Sequence, residues 1–244
     1  MFIYVSGFNY PMPTKEKFKT YKNVFDEKTL RVLFKLESEG YFEELKSPIS
    51  IGKESNVFTA INKDGTYVVV KIYRINTADF KRMYKYIGCD PRFKGLSNQR
   101  RKVVFAWAQR EYRNLLIANQ AGARVPVPYA VMDNILVMEL IGKNNEPAPR
   151  LKDKPPKNVK KFIKELINNL TIFYKSGFIH GDLSEFNILN YNDTPYIIDL
   201  SHGVKLDYSG MQELLDRDIK NLKKYFSKLG LDVDIENILK NLKR

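Results

Sequence analysis

Between residues 178 and 199, three short apolar runs, Phe178-Ile179, Ile188-Leu189 and Tyr196-Ile197-Ile198, bracket a polar octet. The octet reads His180-Gly181-Asp182-Leu183-Ser184-Glu185-Phe186-Asn187. Runs this short suit strands better than helices, and the turn residues at 192–195 make the last two runs a hairpin that leads into Asp199. An aspartate and an asparagine five residues apart recur by chance in many chains. The flanking runs give the spacing its weight here.

The rest of the chain divides around this block. Asp26 caps an expected helix over 28–39, where Leu30, Leu33, Phe34 and Glu37 recur before Gly40; it reads as a small N-terminal appendage. Residues 56–61 and 66–73 are β-prone, with Asn62-Lys63-Asp64-Gly65 as the turn between them and a loop over 50–55 before them. Residues 74–102 hold nine basic and two acidic side chains, and Gly88, Pro91 and Gly95 break any long helix, so the stretch reads as a mobile basic loop. Helical periodicity returns over 103–120, where Val104, Ala108, Glu111 and Leu115 share a face and place Glu111 on an otherwise apolar stripe. A buried strand is expected over 135–141, then an extended linker over 142–156 whose four prolines exclude a helix and mark a lobe boundary. Helices are expected over 159–176, 211–229 and 233–242. The expected units are an N-terminal helical extension over 1–48, a first lobe over 49–141, and a hinge with a mainly helical second lobe over 142–244.

A chain of 244 residues can bury a core without staples. Cys89 is the single cysteine, and with two histidines it makes no zinc-ligand pattern, so a reducing, cytoplasmic setting is expected. No apolar run approaches the ~20 residues of a membrane span, and the first residues lack a signal-peptide pattern, so no membrane partner is expected. Forty-one Lys and Arg against 28 Asp and Glu leave a net charge of +13. Two readings stand: a polyanionic partner, or a solvated lysine-rich surface.

Phosphoryl transfer needs a lysine on the nucleotide phosphates, oxygen ligands for magnesium, and a carboxylate that accepts the attacking hydroxyl's proton. Lys71 closes the run Val68-Val69-Val70-Lys71, the pattern of the kinase third-strand lysine, and Glu111 supplies a matching charge on a later helix. Taken singly, an edge-strand lysine and an amphipathic boundary glutamate would serve as well. Asp182, Asn187 and Asp199 keep the order and spacing of a kinase proton acceptor and two metal ligands. Ser50-Ile51-Gly52-Lys53-Glu54-Ser55-Asn56-Val57 stands at the phosphate-loop position with one glycine where kinases have three; a plain turn stays open as the alternative.

Together Ser-Ile-Gly-Lys-Glu-Ser-Asn-Val, Met-Glu-Leu-Ile-Gly, His-Gly-Asp-Leu-Ser-Glu-Phe-Asn and Ile-Ile-Asp-Leu-Ser resemble the RIO atypical kinases, of the Rio1 type, over about residues 24–226. The resemblance implies an α+β, two-lobed kinase-like fold: an antiparallel N-lobe sheet plus helix, and a reduced, mainly helical C-lobe without an activation segment. Asp199-Leu200-Ser201 replaces the usual Asp-Phe-Gly, and only the 45 residues 200–244 follow. It further implies ATP with Mg2+, or Mn2+, as cofactors, Asp182 as proton acceptor, and Asn187 and Asp199 as metal ligands. Lys71, paired with Glu111, would meet the α/β-phosphates beside Ser50, Gly52, Lys53, Glu54, Ser55 and Val57. Met138, Glu139, Ile141 and Pro147 would surround adenine. Asp199 is implied as an alternative phosphate acceptor, giving an ATPase cycle, and Ser97 as the autophosphorylated serine. The implied role is small ribosomal subunit maturation, with the pre-ribosomal particle and its RNA as partners and an unidentified protein substrate. Two other readings share parts of the pattern: a small-molecule kinase of the aminoglycoside phosphotransferase type, and an ATP-binding assembly factor with little catalysis.

Overall fold

A computed structural model describes residues 25–77 and 79–231. Its N-terminal half is built on five antiparallel strands in the order β1-β2-β3-β5-β4. These are β1 (Glu44–Ile51), β2 (Ser55–Ile61), β3 (Tyr67–Tyr73), β4 (Pro128–Met132) and β5 (Ile135–Glu139). The β-branched run of β3 occupies the centre, and its two faces part company, as strand alternation requires. Val68, Val70 and Ile72 pack on one side with Leu33 and Leu36 of α1 (Glu27–Ser38). Val69, Lys71 and Tyr73 face the other way, toward α3 (Arg100–Gln120).

The first helix is thus part of the lobe's core, not an appendage. Asp26 caps it, accepting the N–H groups of Lys28 and Thr29 at 3.1 Å each. Leu33 and Leu36 are fully buried, each adding roughly 1.5–3 kcal/mol. Strand β1 went unread in the sequence because it is an edge: only Leu45 is buried, Pro48 interrupts the ladder, and irregularities flank it.

The basic stretch also departs from expectation. Residues 80–88 form α2 (Phe80–Gly88), followed by a single 3-10 turn over Pro91–Phe93. Met83 and Ile87, one helical turn apart, are buried against α3, an apolar stripe hidden among the charges.

After β5 the expected extended linker begins instead as a tight hairpin, β6 (Gly142–Lys143) with β7 (Glu146–Pro147). Gly142 permits it, because a Cβ there would collide with the Glu146 carbonyl. The second lobe holds α4 (Val159–Lys175), the short strands β8 (Phe178–Ile179), β9 (Ile188–Tyr191), β10 (Thr194–Ile197) and β11 (Val204–Lys205), and α5 (Met211–Ser227). Strand β8 pairs with β11 and β9 with β10. Phe162, Leu166 and Phe173 of α4 and Leu215, Ile219 and Phe226 of α5 close one core around them. The helix expected over 233–242 lies outside the described residues. This is a two-lobed, kinase-like α+β fold. Among the described residues no helix is long and apolar enough to cross a membrane.

Candidate active site

Lys71 is the charged centre where the lobes meet. It is buried, and its Nζ donates to Glu111 Oε1 at 2.9 Å and to Asp199 Oδ1 at 3.0 Å. Burial works against its charge, but Asp199 and Glu111 overrule that and hold the ammonium above its usual range. Glu111 sits fully buried on α3, where burial pushes its carboxyl up against the pull of Lys71. The Tyr73 hydroxyl donates to its other oxygen. For Asp199 the balance reverses: desolvation pushes it up, but Lys71 beside it keeps the carboxyl well below the usual range.

Asp199 sits in the left-handed region, φ 61° and ψ 62°, at the entry to a 3-10 turn over Leu200–His202. Its neighbours hold that bend: Ser201 Oγ donates to Asp199 Oδ1 at 2.7 Å. From α3, Asn114 Nδ2 donates to Leu200 O at 2.8 Å and Arg110 Nη2 to Gly203 O at 2.7 Å. His202 lies edge-on between Tyr86 of α2 and Trp107 of α3. Burial pulls its imidazole down to about 3, so it is neutral near pH 7.

The loop 180–187 is held from inside. His180 Nε2 donates to Ile198 O at 3.0 Å, while its Nδ1 accepts the Asp182 N–H at 3.2 Å. Asp218, buried on α5, accepts the N–H groups of Gly181 and Leu183 at 2.8 Å each. Asn187 Nδ2 donates to the Asp182 carbonyl at 2.8 Å, which leaves Oδ1 as the atom the side chain offers outward. The Asp182 carboxylate is half-buried between Arg217 at 3.4 Å and Arg82 of α2 at 3.7 Å. Burial pushes its pKa up, with both arginines opposing.

Lys71, Glu111 and Asp199 therefore converge, and the backbone carbonyl of Asn187 accepts the N–H of Ile198, the residue before Asp199, at 3.0 Å. Of the loop residues, Val57 is the register partner of Lys71, and Ser50 is the partner of Val57. Gly52 and Ser55 close the turn, Gly52 N–H to Ser55 O at 2.9 Å, with Lys53 and Glu54 between them. Burial and the charge of Asp199 push the Glu54 carboxyl up. Met138 and Glu139 end β5, but the Glu139 N–H is spent on Val127 O at 2.8 Å. The Ile141 carbonyl accepts the Ala148 N–H at 2.8 Å, and Pro147 lies exposed in the hairpin. Ser97 is exposed, and the contact it makes is local, from Gln99 N–H at 3.4 Å.

Sequence reasoning passed over Tyr73, Arg82, Arg217 and Asp218. For two of them a signal was there. Tyr73 follows Lys71 by two on one strand face, and Asp218 interrupts the stripe Leu215, Ile219, Leu222 as Glu111 interrupts its own.

Similarity to known proteins covers most of the chain. The model of the RIO domain family matches residues 56–238. The chain is 38% identical over 226 residues to the RIO-type serine/threonine-protein kinase Rio1 of Haloferax volcanii, covering 91% of this chain and 77% of that protein. It is 37% identical to the Rio1 kinase of Methanocaldococcus jannaschii, covering 92% and 77%. The fold resembles that of the Rio2 kinase from Chaetomium thermophilum, solved as an ADP/Mg2+-phosphoaspartate complex, with a TM-score of 0.64 at 22% identity. That match covers 86% of this chain and 64% of the solved chain.

Proposed function

Because the chain belongs to the RIO-type atypical serine/threonine-protein kinases, of the Rio1 kind, we propose that it binds ATP between its lobes and moves the γ-phosphate through the site centred on Lys71. The convergence of Lys71, Glu111 and Asp199 carries this reading, since it sets a permanent cation beside an ionised carboxylate. Adenine would lie against Met138, with the Glu139 carbonyl and the Ile141 N–H as its hydrogen-bonding groups and Pro147 over it. The turn from Ser50 to Val57 would cover the phosphates, and Lys71 would turn from Asp199 to meet them.

The donor set suits magnesium: a carboxylate kept ionised at Asp199 and an amide oxygen at Asn187 are hard ligands. Bound there, the ion would neutralise phosphate charge. Asp182 takes the proton of the acceptor hydroxyl as its oxygen bonds to the γ-phosphorus and ADP leaves. Its raised pKa makes it a stronger base than a free aspartate.

A second acceptor is Asp199 itself. Its side chain is 38% exposed and ionised, as a nucleophile must be. Attack by an Asp199 oxygen on the γ-phosphorus would expel ADP and give an aspartyl phosphate, and water would release inorganic phosphate from it, completing ATP hydrolysis. Kinship with Rio1 and the +13 charge support a role on an RNA-rich particle, the maturing small ribosomal subunit, with Ser97 as an autophosphorylation site.

Labelled ATP tests these readings together. Acid-stable label on serine or threonine supports kinase action, and hydroxylamine-labile label lost in Asp199→Asn supports the aspartyl phosphate. No label and no phosphate release would sink both.

A further inference from the structure

Tyr73 is 1% exposed, stands two residues after Lys71 on the same face of β3, and touches both members of the buried pair. Its hydroxyl donates to Glu111 Oε2 while Lys71 holds Oε1 at 2.9 Å, so each carboxylate oxygen has its own donor. Its ring lies beneath the Lys71 ammonium, 5.1 Å from Nζ to the centroid. Burial pushes the phenol well above its usual range, so it stays a donor. The backbone around it is clamped as well. Tyr73 N–H donates to Asn134 O at 2.8 Å, and Asn134 Nδ2 donates to Tyr73 O at 2.7 Å and to Thr29 Oγ1 of α1 at 3.1 Å.

We propose that Tyr73 is a positioning residue: it holds Glu111 so that only one oxygen engages Lys71, which keeps the ammonium's remaining N–H donors for the nucleotide phosphates. The proposal rests on the reading of Lys71 as the phosphate contact. An ammonium has three N–H donors, and here one goes to Glu111 and one to Asp199. Without the phenol, Glu111 Oε2 is a buried anionic acceptor with no donor, a costly state. The nearest remedy is a two-oxygen grip on Lys71, which draws the ammonium toward α3 and away from the phosphates. The ring alone cannot prevent this, because it offers no donor.

The test uses the full chain and Tyr73→Phe, which keeps the ring and nearly all the volume and removes only the hydroxyl. Nucleotide affinity is measured by calorimetry with Mg·ATP, KM and kcat by autophosphorylation, and melting by scanning calorimetry, with binding read well below each variant's Tm. The proposal expects Kd and KM for ATP to rise about tenfold while kcat changes by less than about threefold. In a Glu111→Gln background, where the second anionic oxygen is gone, adding Tyr73→Phe should change affinity by less than about twofold. A lowered Tm with unchanged Kd and KM would reduce Tyr73 to core packing and overturn the proposal. Equal losses in both backgrounds would overturn it too, since the effect would not run through Glu111. Lys71→Met distinguishes loss of the phosphate contact from loss of the Tyr73 effect. If it binds Mg·ATP as wild type does, the phosphate-contact reading and the proposal fall together. If it loses affinity while Tyr73→Phe does not, only the proposal falls.

Discussion

The carboxylate of Asp218 straddles Asp182: one oxygen accepts the N–H of the residue before it, Gly181, and the other that of the residue after it, Leu183, each at 2.8 Å. A buried acid on the last helix thereby fixes the backbone of the loop that bears the proposed proton acceptor. Gly181 is required there, with φ +75° and a hypothetical Cβ only 2.7 Å from the His202 carbonyl.

Asp218→Asn offers one acceptor oxygen where two N–H groups point, so one bond is lost. We expect kcat to fall about tenfold or more with ATP affinity little changed. Burial pushes Asp218 up to about 6, above the unfolded value of about 3.9. A raised acid contributes stability fully below its unfolded pKa and loses it as pH climbs through the folded one. The stability of wild type relative to Asp218→Asn should therefore fall between pH 4 and pH 7, measured by urea unfolding.

Asp182→Ala should cut autophosphorylation by about 10²–10⁴ while leaving the Kd for Mg·ATP within about threefold, because a proton acceptor acts on transfer more than on binding. Phosphate transfer at the wild-type rate would remove Asp182 from its role.

Arg82→Ala removes a cation that favours the ionised form of Asp182. The carboxyl must be ionised to accept a proton, so the acid limb of the pH–rate profile should move to higher pH. A limb that stays in place would mean the α2 contact does not reach the reaction.

Lys71→Met leaves Glu111 buried without its cation, a loss of about 3–5 kcal/mol at neutral pH. Asp199, depressed by Lys71, contributes stability above its unfolded pKa and loses it as pH falls. The stability gap between wild type and variant should thus narrow below about pH 4. Mg·ATP affinity should drop at least about tenfold.

Binding to small-subunit precursor RNA should weaken steeply between about 50 and 200 mM salt if the +13 charge meets phosphates. A flat response, measured by filter binding, would make that charge ordinary surface.

Legibility followed the range of each signal. Glu111 was readable because a charge on an apolar helical stripe has a period, and Lys71 because it ends an apolar strand. Asp218 carried the same signal as Glu111, but nothing along the chain pointed to its partners, which are backbone groups 35 and 37 residues away. Edge strand β1 lacks alternation because past Leu45 both of its faces are exposed, and the charges of α2 masked Met83 and Ile87. Glu139 was expected to offer its backbone to adenine; pairing with Val127 occupies its N–H.

By itself the sequence determined the order Lys71, Glu111, Asp182, Asn187, Asp199, the strands and helices that carry them, and the family, because those depend on neighbours a few residues apart. Only the tertiary structure decided that Lys71 meets Asp199 across 128 residues, that Asp199 is ionised while Asp182 is pushed up, and that Tyr73 and Asp218 hold the charged groups in place. The reason is physical: protonation and hydrogen bonding depend on burial and on separations of about 3 Å, and folding sets both.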